Sequence, residues 1–244
     1  MIKAVIFDLD GTLVKTEGLK CLAYYQAVRA IAPGTVQPGE VEDAYRVVVG
    51  RSRQEVAAYM VDRFGLEPSL LARMGELGFE QVWQVLVSRF AENYECMLAD
   101  PELMRDTLYP EVVGLLKFVA QKGRLTALAS MSLDRQARQV LALSGLEQLH
   151  HFDLVLTREQ VSRPKPDPEI YLLAASRLGQ VPAECLVIED STVGVQAGLA
   201  AGMRCVGLAT SLTGASLHAF PGLPPEWIVD DPGRLVALVE GLLD

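Results

Sequence analysis

What this chain lacks narrows its function first. It carries no run of basic residues, and its formal net charge is −9 over 244 residues. Binding to nucleic acid needs a basic surface that displaces counterions, so that class of partner is excluded. No apolar stretch reaches membrane-spanning length without a charge, a glycine or a proline interrupting it, so no membrane partner is expected. Its few cysteines, Cys21, Cys96, Cys185 and Cys205, show neither metal-type spacing nor the density of a disulfide scaffold. Cys185 and Cys205 fall in strand-like runs and are expected to be small buried hydrophobes. No signal-peptide pattern is present, and the first strand candidate begins at Ile2, where cleavage of a presequence would remove it. The expected location is therefore the cytoplasm. There is no internal repeat and no low-complexity tract.

What is present describes a soluble globular protein: 50% of the residues are apolar and 22% charged. The length allows one large α/β domain, or a core with a smaller second domain. From Glu111 onward, helical periodicity alternates with short β-rich runs. Helices are expected over Val112–Gln121, Leu133–Ser144, Pro168–Leu178, Val193–Ala201 and Gly233–Leu243. Strands are expected over Arg124–Ala129, Phe152–Leu156, Cys185–Ile188, Arg204–Leu208 and Trp227–Val229. Strands separated by helices imply an α/β fold, a Rossmann-like parallel sheet with helices on both faces.

Residues 15–99 differ, with helical periodicity and no convincing strand. Helices are expected over Leu19–Ala32, Pro38–Val49 and Arg53–Phe64, with a long stretch from Leu70 to Leu98. Ser52-Arg53-Gln54-Glu55 fits a capping box, Ser at the N-cap and Glu three residues on. This block interrupts the α/β pattern right after its first strand, so it reads as an inserted α-helical cap domain. The expected organisation is a core of residues 1–14 and 100–244 and a cap of residues 15–99.

Four segments carry chemistry. Asp8-Leu9-Asp10-Gly11-Thr12 follows the apolar run Ala4-Val5-Ile6-Phe7. Carboxylates at the end of a buried strand need partners to offset their desolvation, and a divalent cation with an electrophilic phosphorus fits best. Ser130 ends the run Leu125–Ala129, while Ser132 reads as the cap of the helix beginning near Leu133. Lys165 lies between Pro164 and Pro166, in a loop whose Asp167-Pro168 reads as a helix start. Leu186-Val187-Ile188 runs into Glu189-Asp190, and Ser191 opens the next helix. Asp8, the backbone carbonyl of Asp10, and Asp190 form an oxygen ligand set for a hard cation such as Mg²⁺, with Glu189 joining directly or through water.

In this order, the segments resemble the motifs of the haloacid dehalogenase (HAD) superfamily, most closely the helical-cap branch of β-phosphoglucomutase and sugar-phosphate phosphatases. The resemblance covers residues 1–14 and 109–209 well and the cap by architecture only. It implies that Asp8 attacks phosphorus and that Asp10 is general acid and then general base. It implies that Ser130 binds a phosphoryl oxygen and that Lys165 neutralises charge between nucleophile and substrate. Gly11 lets the backbone turn its amides toward the phosphoryl oxygens. Gly50-Arg51-Ser52-Arg53 resembles the cap segment that holds a distal phosphate, which makes Arg53 a substrate-binding candidate. Relatives often carry Asp where Lys15 stands and His near the place of Lys20; the missing His counts against a mutase, and Lys20 becomes a candidate for a second anionic group.

The implied activity is a Mg²⁺-dependent phosphatase acting on a small phosphorylated metabolite, a sugar phosphate or bisphosphate, through a phospho-aspartate. The alternatives are a phosphosugar mutase and a non-catalytic protein of the same fold. A dehalogenase is disfavoured by Asp10, Lys165 and the Glu189-Asp190 pair. The oligomeric state stays open, a monomer being compatible with the sequence.

Overall fold

The computed structural model describes residues 1–34, 36–104, 107–146 and 152–243. The chain divides into two compact units, one of Met1–Lys15 with Met104–Asp244, the other of Thr16–Leu103.

The first unit is built on a six-stranded parallel sheet. Its strands are β1 (Ala4–Phe7), β2 (Leu125–Ala129), β3 (Leu154–Leu156), β4 (Cys185–Glu189), β5 (Arg204–Leu208) and β6 (Ile228–Val229), in the spatial order β3-β2-β1-β4-β5-β6. All four residues of β1 are fully buried, as a central parallel strand covered on both faces requires. β1 pairs with β2 on one side and β4 on the other, so that Ile6 lies level with Ala127 and Val187. The strand order reverses beside β1, and in sheets of this kind ligands bind beyond the carboxyl ends of the strands at that point. Those are the ends that carry Asp8, Ser130 and Glu189.

Alternation along the strands decides which of these side chains share a face. Ala4 and Ile6 of β1 pack with Ala127 and Ala129 of β2, and with Cys185 and Val187 of β4, in one buried cluster. Asp8 and Glu189 continue those rows. The helices covering that face are α9 (Glu169–Arg177) and α10 (Thr192–Ala200), while α7 (Pro110–Gln121) packs on β2 and against α12 (Leu235–Leu243). α8 (Asp134–Leu143) and α11 (Gly214–His218) also belong to this unit. Cys185 and Cys205 are fully buried, as expected.

The second unit is helical: α1 (Thr16–Ile31), α2 (Pro38–Val48), α3 (Arg53–Arg63), α4 (Glu67–Met74) and α5 (Val82–Leu98). The short α6 (Pro101–Met104) follows it. α5 packs against α1, α3 and α4. Its centre is aromatic: the Tyr24 and Phe90 rings stack with centroids 4.1 Å apart, and Phe90 stacks on Tyr94 at 5.6 Å. The Ser52 capping box forms, its hydroxyl accepting from the Glu55 N–H at 3.3 Å while the Glu55 carboxylate accepts from the Ser52 N–H at 3.1 Å. The periodic stretch Leu70–Leu98 is two helices rather than one. Gly75 and Gly78 interrupt it, and Gly78 adopts φ +69°, a left-handed conformation no helix continues through. Among the described residues no helix is long and apolar enough to cross a membrane.

Candidate active site

The turn after β1 is tight. The Gly11 N–H donates to the Val14 carbonyl at 2.7 Å, and the Leu13 and Val14 N–H groups return to the Leu9 carbonyl. Gly11 has φ +85°, and a Cβ there would lie 2.1 Å from Oδ2 of Asp190. Both the backbone conformation and the close approach of that carboxylate require glycine. The turn therefore brings Asp8 and Asp10 beside Asp190 at the neighbouring strand end.

Lys165 enters this acid cluster from the loop before α9. Its ammonium donates to Oδ1 of Asp8 at 2.8 Å, to Oε1 of Glu189 at 2.6 Å and to the Ala129 carbonyl at 3.0 Å. Only 4% of Lys165 is exposed, so these three acceptors replace water at the ammonium. The loop is held from behind. The Glu169 carboxylate accepts from the N–H groups of Ser162 and Arg163 at 2.9 and 2.8 Å, and these bonds keep Glu169 below its ordinary pKa. Asp167 accepts from the Glu169 N–H at 3.0 Å, but from one residue before the N-cap: that place is taken by Pro168, and α9 begins at Glu169. Arg163 forms ion pairs with Asp167 and Glu169.

Burial dominates the electrostatics of Asp8 and raises its carboxyl to a pKa of about 8. Lys165 opposes this, while Glu189 and Asp10 add to it. For Lys165 burial works to lower the pKa, but Asp8 and Glu189 outweigh it and hold the ammonium above its ordinary range. One oxygen from each of Asp8, Glu189 and Asp190 lies within 4.8 Å of the others, and all three residues are buried. Lys165 pairs with two of these acids and leaves negative charge over. That surplus, on hard oxygen donors, fits a divalent cation.

Ser132 does not cap α8. The helix begins at Asp134, whose N–H is taken by both Glu159 carboxylate oxygens at 3.0 and 2.9 Å. Ser132 instead donates its hydroxyl to Oδ2 of Asp10 at 2.6 Å, both residues being buried. Ser130 is fully buried at the end of β2, and its Oγ accepts from the Ser132 N–H at 3.0 Å. Ser191 does cap α10, its Oγ accepting from the Gly194 N–H at 3.1 Å.

The expected residues Asp8, Asp10, Gly11, Ser130, Lys165, Glu189 and Asp190 thus converge in the sheet-bearing unit. Arg53 and Lys20 lie in the helical unit. The Arg53 guanidinium rests 5.5 Å from the centroid of the Phe90 ring, and Lys20 donates to Glu17 at 2.8 Å. Tyr45 donates to the other oxygen of the same buried Glu17. Sequence reasoning missed Ser132 as a partner of Asp10, and also Tyr171 and Gly194, which adjoin Glu189. An apolar face on α9 containing a tyrosine was the available signal, because a buried phenol usually needs a hydrogen-bond partner.

The family model for haloacid dehalogenase-like hydrolases matches residues 2–202. The chain is 34% identical over 212 residues to the phosphorylated carbohydrates phosphatase of Thermotoga maritima, spanning 86% of this chain and 87% of that protein. It is 28% identical over 236 residues to pyrophosphatase PpaX of Bacillus velezensis, spanning 96% and 95%. A crystal structure of a putative beta-phosphoglucomutase from Thermotoga maritima matches with a TM-score of 0.66 and 30% identity, over 99% of this chain and 100% of that one. With that family match on the same chain as these strand-end acids and Lys165, the protein belongs to the haloacid dehalogenase-like hydrolases and is an enzyme of that family.

Proposed function

We propose that this chain is a Mg²⁺-dependent cytoplasmic phosphatase of a small phosphorylated metabolite, a sugar phosphate or bisphosphate, working through a phospho-aspartate on Asp8. The carrying observation is the division of the two strand-end acids. Asp8 is held by the Lys165 ammonium at 2.8 Å, whereas Asp10 is held by the Ser132 hydroxyl at 2.6 Å. A fixed ammonium beside Asp8 favours its ionised form, which suits a nucleophile, and a carboxyl with a neutral hydroxyl partner suits a group that trades protons. The 34% identity to a phosphatase of phosphorylated carbohydrates supports the substrate class.

Asp8 attacks phosphorus in line, and the bond from phosphorus to the leaving oxygen breaks. Asp10 gives that oxygen its proton. Asp10 then takes a proton from water, which attacks the phosphorus of the acyl phosphate and returns Asp8 as a carboxylate. Lys165 stabilises the charge that gathers on the phosphoryl oxygens, Ser130 hydrogen-bonds one of them, and Gly11 leaves the space that the Asp190 carboxylate occupies beside them. Asp8, the Asp10 carbonyl and Asp190 would hold Mg²⁺, with Glu189 in reach directly or through water. The ion supplies further neutralisation of the phosphate and the nucleophile. In the helical unit, Arg53 and Lys20 are the proposed cations for a second anionic group of the substrate.

The test is inorganic phosphate release from a panel of sugar phosphates and bisphosphates with Mg²⁺ and with EDTA. Mg²⁺-dependent release is expected; no release from any member would sink the reading. A phosphosugar mutase is the second reading, favoured by the 30% identity to a putative beta-phosphoglucomutase. It would convert a phosphosugar to its isomer in place of free phosphate.

Two further results are expected. Ser132→Ala should lower kcat about 10- to 100-fold, the worth of a hydrogen bond to a charged group, with KM changed far less. Mg²⁺ binding should release about one proton at pH 7, because Asp8 with its raised pKa of about 8 must ionise to bind. Affinity measured by calorimetry should therefore weaken about tenfold for each pH unit below 8. An affinity flat between pH 6 and 8 would contradict that linkage.

A further inference from the structure

Tyr171 lies in the first turn of α9, on the face that covers the β1 and β4 rows ending in Asp8 and Glu189. The residue is fully buried. Its hydroxyl donates to Oε1 of Glu189 at 2.7 Å, the same oxygen that receives the Lys165 ammonium at 2.6 Å. The ammonium also lies 4.8 Å from the centroid of the Tyr171 ring, within cation–π range. One side chain therefore touches the lysine through its ring and the lysine's acid partner through its hydroxyl.

Glu189 is confined on its other sides as well. Oε2 accepts from the Ser191 hydroxyl at 3.1 Å and from the Ser191 N–H at 3.3 Å. A Cβ on Gly194 would fall 1.8 to 2.2 Å from the Glu189 carboxylate, so the carboxylate occupies space that only glycine leaves. Burial first, then Glu189 and Asp8, push the Tyr171 phenol well above its ordinary pKa, which keeps it a donor.

We infer that Tyr171 is a positioning residue of the phosphoryl-transfer site: its hydroxyl and ring fix Glu189 and Lys165 together, so that the ammonium is aimed at Asp8. The first duty of Glu189 is then to Lys165, with both of its oxygens engaged before any cation binds. The inference rests on the phosphatase reading above.

Tyr171→Phe keeps the ring and removes the one donor. It should lower kcat about tenfold or more, with KM changed less than twofold. Orthovanadate, which mimics the transferring phosphoryl group, should bind about tenfold more weakly, and inorganic phosphate less than twofold. In lysine-labelled protein the wild-type Lys165 ammonium should give a slowly exchanging NMR signal, identified by its loss in Lys165→Met. Tyr171→Phe should broaden or shift that signal. Gly194→Ala, which displaces Glu189 from the opposite side, should reproduce the same pattern and serves if the first variant folds poorly. Wild-type kcat, orthovanadate affinity and ammonium signal in folded Tyr171→Phe would overturn the inference. So would a lower melting temperature with kcat per folded molecule preserved. If the wild type releases no phosphate but the ammonium signal still moves in Tyr171→Phe, the phosphatase reading falls and the brace stands. If neither is seen, both fall.

Discussion

Asp8→Asn is expected to lower turnover by at least about 10⁴-fold, the scale at which removing a nucleophile disables an enzyme. The fold should survive. Asparagine keeps the shape of Asp8 and still offers Lys165 an oxygen, and the backbone pairing of residue 8 to the Ile188 carbonyl at 3.0 Å is untouched. Stability at neutral pH should change little, because an acid whose carboxyl is raised to about 8 keeps its proton there and asparagine replaces a neutral group of the same shape. Circular dichroism and a phosphate-release assay on the same preparation check both halves. Retained turnover in a correctly folded variant would mean that another group accepts the phosphoryl unit.

Lys165→Met carries the second large effect, and here stability falls with activity. The ammonium sits between Asp8 and Glu189, whose side chains are 10% and 1% exposed. Its removal leaves two buried acids without their shared partner. Breaking a buried ion pair in this way costs about 3–5 kcal/mol. The pH dependence has a definite sign. Lys165 has a raised folded pKa, so its contribution is fully present below the unfolded lysine value of 10.5 and is lost only above it. Asp8, whose folded pKa is also raised, is destabilised as pH climbs through the interval from 3.8 to about 8. The deficit of Lys165→Met, read from denaturant unfolding, should therefore be larger at about pH 9.5, where Asp8 ionises beside Lys165 in the wild type, than at about pH 6, where it keeps its proton in both proteins. A deficit independent of pH would mean that lost packing, rather than lost charge, sets the effect.

The features legible in the sequence are those carried by short segments. Apolar runs ending in Asp8 and Glu189, a serine after Ala129 and a lysine between prolines each mark a strand end or a rigid loop. A parallel sheet brings such ends together without further information. Helical periodicity likewise marks the insertion after β1. Other features depend on residues far apart in the chain. Ser132 looks like a helix cap locally, and only the turn after β1, 122 residues away, supplies Asp10 as its better acceptor. Tyr171 looks like one more core aromatic until β4 brings Glu189 within 2.7 Å of its hydroxyl. The division of Leu70–Leu98 depends on a backbone state of Gly78 that hydrophobic spacing does not report. Lys20 reads as a candidate for a second anionic group, and only the fold shows that it shares buried Glu17 with Tyr45 from another helix.

The central claim is that a phosphoryl group passes through the Asp8 carboxylate. The direct measurement is an acid quench during turnover of the best panel substrate carrying a radiolabelled phosphoryl group, followed by peptide mapping. Label is expected on the peptide containing Asp8, lost on treatment with hydroxylamine and absent from Asp8→Asn. Phosphate release at full rate with no label on that peptide, or with label on another residue, would contradict it.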